Sequence, residues 1–167
     1  AMENYQQSLT IARKLGAEDW IVASLSNIGS VYHVRGQFDK AIENHQQALT
    51  IARKIGVKKG IAVALGSIGS VYESWGQFDK AIENYQQALT IARKMGAEPE
   101  ISSFLGNIGT VYQSWGQYDK AIENHQQALT IARKIGEEHR IAVFLGNIGT
   151  VYQSWGQYDK AIENHQQ

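Results

Sequence analysis

The chain has 167 residues, 16 basic and 16 acidic, so its formal net charge is zero. That balance leaves no basic stripe for nucleic acid and no acidic tail. The absence of cysteine excludes disulfides, thiol nucleophiles and cysteine-based metal sites, and no apolar run is long enough to span a membrane.

In chain order, the sequence predicts a truncated helix over residues 3–15, then repeats over 18–55, 58–95 and 98–135, and a partial repeat over 138–167. The words LGNIGTVYQSWGQYDKAIENHQQALTIA of residues 105–132 recur from Leu25, Leu65 and Leu145, forty positions apart. Ile101–Gln127 and Ile141–Gln167 differ only where Ser102 and Ser103 become Ala142 and Val143. A fixed period of this size marks a stacked array whose units bury their apolar faces on each other.

Each repeat carries two helical patterns. In the third, Ile101, Phe104, Leu105, Ile108, Val111, Tyr112 and Trp115 step by three and four. Tyr118, Ala121, Ile122, His125, Ala128, Leu129, Ala132 and Ile135 do the same, so each set occupies one helical face. Each helix should be about eighteen residues, roughly 27 Å, long. Gly36, Gly76, Gly116 and Gly156 should end the first helices, and Gly16, Gly56, Gly96 and Gly136 the second. Arg-Lys pairs before the latter suit a helix C-terminus. Pro99 falls where a helix should start. The count is nine helices, the first and last truncated, with no strand.

Asp39, Asp79, Asp119 and Asp159 are expected to cap the second helices and complement their dipoles. Gly29, Gly69, Gly109 and Gly149 lie inside helices, at a cost of about 1 kcal/mol each against alanine. The expected reason is close approach of the paired helix at Ala41, Ala81, Ala121 and Ala161. His45, His125 and His165 share a repeat position that Tyr5 and Tyr85 fill elsewhere, which suits an aromatic packing slot better than a metal ligand. Trp75, Trp115 and Trp155 read as core; a partner contact is the alternative. No nucleophile stands beside a base and no phosphate-binding loop follows a strand, so no catalytic residue, metal or cofactor is expected.

The third repeat resembles the tetratricopeptide signature W-x2-L-G-x2-Y, A-x3-F, P. Leu105, Ile108, Gly109 and Tyr112 fall on its first half, and Ala121 and His125 on A-x3-F. The period of forty exceeds the usual length of about thirty-four, and Arg53, Arg93 and Arg133 stand at the terminal proline. This longer form is similar to the Leu-Gly-Asn repeat proteins of spindle orientation and, more distantly, to kinesin light chains. The resemblance implies an all-α right-handed solenoid of antiparallel helix pairs, first helices inside and second helices outside. It further implies a cytoplasmic protein that binds a protein or peptide in a concave groove.

Carried over by position, that groove comprises Asn27, Ser67, Asn107 and Asn147; Ser30, Ser70, Thr110 and Thr150; His33, Glu73, Gln113 and Gln153; and Val34, Ser74, Ser114 and Ser154. Amides both donate and accept hydrogen bonds, so such rows could hold an extended peptide backbone. Gly66, Gly106 and Gly146 would leave it room. Alternatively these side chains are solvated or bond to one another along the stack. The rows hold no Lys or Arg, which argues against a carboxylate clamp. The other function in view is a spacer or scaffold stacking head to tail through Leu9, Ile11, Leu15 and Ile162, since uncapped array ends favour association.

Overall fold

The computed structural model describes residues 2–157. They form eight α-helices, and among the described residues there is no strand. The ninth helix expected from the sequence, with Asp159, Ala161, Ile162 and His165, lies outside the described residues. The chain forms two compact units, residues 1–91 and 92–167.

The first unit contains α1 (Met2–Leu15), α2 (Glu18–Val34), α3 (Phe38–Lys54), α4 (Lys58–Ser74) and most of α5 (Phe78–Met95). The second contains the last turn of α5, then α6 (Glu98–Ser114), α7 (Tyr118–Ile135) and α8 (Glu138–Ser154). In each unit a helix packs on its successor, α2 on α3 and α6 on α7. First helices also touch each other, α2 with α4 and α6 with α8.

The helices stop where the glycines stand. All eight turn glycines adopt φ between +65° and +75°, a region other residues enter at a cost. The following amide reaches back to close the turn: Gln37 N–H donates to the Tyr32 carbonyl at 2.9 Å, and Glu137 N–H to that of Ala132 at 3.1 Å. This bond, five residues back, satisfies a carbonyl that the helix end leaves open. Pro99 occupies the first turn of α6, as expected.

The helix starts differ from expectation. Gln37 and Gln117 occupy the N-cap positions of α3 and α7, with no side-chain capping bond. Asp39 and Asp119 lie inside the first turn. Their carboxylates complement the dipole from there but do not cap.

The predicted faces form the core. Leu105, Ile108 and Val111 of α6, and Ala121, Ile122, Ala128, Leu129 and Ala132 of α7, are buried. Each buried Leu or Ile contributes about 1.5–3 kcal/mol. Ala41, Ile42 and Val71 form one cluster with Tyr32, Phe38 and Tyr72 against them. Ala121, Ile122 and Val151 repeat it with Tyr112, Tyr118 and Tyr152. The start of a repeat is tied to its end by ion pairs, Lys54 with Glu18 and Lys134 with Glu98. Such exposed pairs contribute at most about 1 kcal/mol.

Gly29, Gly69 and Gly109 face rings, not alanines. A Cβ on Gly29 would lie 2.8 Å from the His45 imidazole, and one on Gly109 2.8 Å from that of His125. On Gly69 it would lie 3.0 Å from the Tyr85 ring. The glycine thus makes the hollow that the packing slot needs. His45 and His125 are 1% and 0% exposed, so their rings are core.

The tryptophans are less buried than expected. Trp75 stacks on Phe38 and Tyr72 at centroid distances of 5.8 and 6.5 Å, and Trp155 packs on Tyr118 at 6.0 Å. Trp75, Trp115 and Trp155 each keep more than a third of their surface exposed. Each stands at an inter-helix turn of its own unit, not in a sealed core.

Candidate functional site: the groove between first helices

The α6–α8 contact leaves a cavity of about 370 Å³, lined by Ser103, Gly106, Asn107, Thr110, His139, Arg140, Val143, Phe144 and Asn147. Three of the predicted groove residues of the second unit, Asn107, Thr110 and Asn147, therefore meet around one hollow. The cavity arises because residues three and four apart share a helix face, so α6 offers 103, 106, 107 and 110, and α8 offers 140, 143, 144 and 147. In the first unit a cavity of about 570 Å³ involves Asn4, Tyr5, Ser8, Asp19, Trp20, Ala23, Ser24 and Asn27. Trp20, Ala23 and Asn27 hold the repeat positions of Arg140, Val143 and Asn147.

The predicted rows behave differently. Asn107 is exposed and Asn147 half-buried, and among the described residues no protein group engages either amide. The hydroxyl row is partly spent on its own helices. Ser30 donates to the Ser26 carbonyl at 3.0 Å, Thr110 to Gly106 at 3.1 Å and Thr150 to Gly146 at 2.9 Å. Ser70 and Ser67 are half-buried.

The third row is bound sideways. His33 Nε2 pairs with Ser74 Oγ at 2.8 Å, and Gln113 Nε2 donates to Ser154 Oγ at 3.4 Å, one repeat along. Glu73 accepts from the Tyr85 hydroxyl at 3.0 Å. Burial pushes the Glu73 carboxyl up, partly offset by that bond, and pushes the Tyr85 phenol up. Gln153 is exposed. Hydrogen bonding along the stack, one of the two sequence alternatives, is thus realised in this row.

Burial holds both core imidazoles neutral, lowering His45 and His125 to about 4, with His33 adding a second unfavourable charge beside His45. Neither ring nitrogen of His125 has a hydrogen-bond partner. Among the described residues no group of three metal-ligating side chains gathers, and no helix is long and apolar enough to cross a membrane.

Five groove residues escaped the sequence reading: Ser103, His139, Arg140, Val143 and Phe144. Phe144 fills the hollow over Gly106, where a Cβ would lie 2.6 Å from the ring. Gly106 therefore makes room for a neighbouring side chain rather than for a ligand backbone. Gly146 has nothing within 4 Å. The rows carry no Lys or Arg, yet Arg140 reaches the cavity from the first turn of α8. The available signal was the change of Ser102-Ser103 to Ala142-Val143 between otherwise identical stretches. At the end of the chain proposed for association, Leu9 is half-buried while Ile11 and Leu15 are 57% and 75% exposed.

The repeat geometry, the glycine turns and the small-residue hollow agree with the sequence comparison. The Tetratricopeptide repeat family profile matches residues 1–54, 20–94 and 100–167. The chain belongs to the tetratricopeptide repeat family. No curated protein matches it. Among solved structures, BtubC (BKLC) from P. vanneervenii is 25% identical with a TM-score of 0.83, over 96% of this chain and 67% of that one. A Podosopora anserina kinesin light chain structure with nearly identical TPR-like repeats is 24% identical with a TM-score of 0.78, over 98% and 81%. A Rap protein complexed with Competence and Sporulation Factor is 21% identical with a TM-score of 0.83, over 98% of this chain and 46% of that one. The last two likenesses concern the fold. Together they describe an all-α solenoid of tetratricopeptide repeats.

Proposed function

We propose that this tetratricopeptide chain is a protein-interaction module, with the cytoplasm as its expected compartment, that holds an extended partner segment against its first helices. The observation that carries this reading is the α6–α8 cavity, where Asn107 and Asn147 present unengaged amides beside the apolar Val143 and Phe144. An extended peptide has one donor and one acceptor per residue, and an amide side chain can satisfy both. A small polar cavity with apolar walls is the form binding sites usually take. A relative in fold, the Rap protein, was solved with Competence and Sporulation Factor bound, which supports binding of a protein or peptide factor here. Recovery of a partner by the wild-type chain, lost in Asn107→Ala with Asn147→Ala and retained with the outer-face Asn124→Ala, tests the reading. Equal recovery by all three would refute it.

A second reading has its own observation. Ile11 and Leu15 of α1 are exposed, while their repeat counterparts Ile51 and Ile55 are half-buried. We infer from this a weak head-to-tail association through Leu9, Ile11 and Leu15. Light scattering that shows a monomer at high concentration, unchanged by Leu9→Ser with Ile11→Ser, would dismiss it.

A further inference from the structure

Short glycine turns make consecutive helices antiparallel neighbours. In each unit the turns inside repeats therefore gather at one edge, and the turns between repeats at the other. At the first edge of the second unit, Gly116, Gln117, Tyr118, Asp119, Lys120 and Trp155 line a cavity of about 260 Å³. Trp155 packs on Tyr118 at 6.0 Å and keeps 36% of its surface exposed. Asp119 is exposed, and among the described residues no cation pairs with it. Lys120 is engaged elsewhere: its Nζ lies 5.2 Å from the Tyr112 ring and donates to Gln117 Oε1 at 2.8 Å. The cavity thus offers two aromatic rings and one carboxylate that has no counter-charge. The first unit repeats the arrangement. Asp39 is exposed beside Phe38, which stacks on Trp75 at 5.8 Å, and Lys40 sits over Tyr32 at 5.5 Å.

The opposite edge carries the complement. Arg53 and Arg133 close the second helices, exposed and without an ion pair or hydrogen bond among the described residues. It is their neighbours Lys54 and Lys134 that bind Glu18 and Glu98. In the first unit the charges separate clearly. At this edge Arg13, Lys14, Arg53, Lys54, Lys58 and Lys59 stand against Glu18 and Asp19. At the other, Asp39, Glu43, Glu73, Asp79 and Glu83 outnumber Arg35, Lys40 and Lys80. Helix dipoles account for arginines at C-termini and aspartates at N-termini. They do not account for Lys58 and Lys59, which open α4 with no acidic residue in its first turn. A chain of zero net charge whose two edges differ in sign is complementary to a copy of itself.

We propose that two copies of this chain join edge to edge, a helix-end arginine of one copy seating in the aromatic–carboxylate pocket of the other. Arg133 and its counterpart Arg53 are the inserted groups, and Asp119 with Tyr118 and Trp155, or Asp39 with Phe38 and Trp75, receives them. A guanidinium is flat, so it lies on an indole face while its N–H groups pair with the carboxylate. An ammonium matches that combination less well. Both features recur at the forty-residue period, so the contact can form at more than one repeat. The two surfaces are different, which makes the contact heterologous and open to further addition. It uses neither the groove nor the exposed face of α1.

The test is analytical ultracentrifugation of the whole chain against concentration and salt. The wild type should form dimers and larger species. These should dissociate as salt rises from about 0.01 M to about 1 M and the screening length falls from roughly 30 Å to roughly 3 Å. Arg53→Gln, Arg93→Gln and Arg133→Gln together should weaken self-association about tenfold. Asp39→Asn, Asp79→Asn and Asp119→Asn together should do the same. Each of these two variants keeps one edge intact, so a mixture of them should form a one-to-one dimer that grows no further. Lysine at the same three arginine positions keeps the charge and should still lose several-fold, because the flat group is gone. A wild type that stays monomeric at every concentration would overturn the proposal. So would a mixture of the two variants that stays monomeric, or lysine replacements that lose nothing. Association that both edge variants retain and Leu9→Ser with Ile11→Ser abolishes would overturn it in favour of the α1 end.

Discussion

At Gly109 a Cβ would meet the His125 ring at 2.8 Å, whereas at Gly146 the same atom would meet nothing within 4 Å. The first glycine belongs to the seam between paired helices, the second to the first-helix face. The seam is written alike in the three described pairs, with glycine opposite a ring at 29 and 45, 69 and 85, and 109 and 125. The groove wall is not, since Trp20, Gly60, Glu100 and Arg140 share one repeat position. The seam is therefore under a packing constraint that admits few residues. The groove wall is free to vary, and that is where a partner can be distinguished.

The largest expected effect tests the seam. Gly109→Leu should lower unfolding stability by about 3 kcal/mol through overpacking against a fully buried ring. Chemical denaturation should show a lower midpoint, and an unchanged midpoint would mean that the glycine is not at a tight contact.

Acidification comes next. The folded chain holds His45 and His125 near 4, below their unfolded value of about 6.5. Between these values the unfolded chain binds more protons. Stability is therefore complete above about pH 6.5 and is lost as pH falls toward 4. Each histidine contributes a slope of up to about 1.4 kcal/mol per pH unit. His125→Phe should flatten the slope in denaturation curves taken across this window, and an unaltered slope would show that His125 does not titrate on unfolding.

A third prediction separates the two ways the seam ring is finished. Tyr85 ends on Glu73, while His125 ends on nothing. Tyr85→Phe should cost about 1.5 kcal/mol, because it strips a donor from a half-buried carboxylate. A neutral result in thermal melts would mean that water replaces the hydroxyl. The smallest effect lies in the groove: Gly146→Ala should stabilise by up to about 1 kcal/mol, from helix propensity with no clash. A loss of stability there would erase the distinction between the two glycines.

The helices, their faces and their glycine ends were legible because they depend on spacing within one helix. Periodicity placed Leu105, Ile108 and Val111 inward, and Gly136 adopts the left-handed turn its position called for. What lies across a contact was not legible in the same way. Gly109 was expected opposite Ala121 and faces His125, because the crossing of the two helices decides which side chain fills the hollow. Gly106 and Gly146 sit in the same Leu-Gly-Asn words, yet Phe144 covers only the first. Asp39 was expected as a cap and sits inside the first turn, since Phe38 already begins the helix. The amide and hydroxyl rows were found by position. Arg140 escaped because its equivalents in other repeats share none of its chemistry.

The most direct test of the central claim is an amide chemical-shift map of the chain titrated with the recovered partner segment. Binding in the groove predicts that the perturbed residues gather on Asn107, Thr110, Arg140, Val143 and Asn147, with α7 residues such as Glu123 and Gln127 unmoved. Perturbations gathered instead on the outer face of α7, or on Ile11 and Leu15, would contradict it.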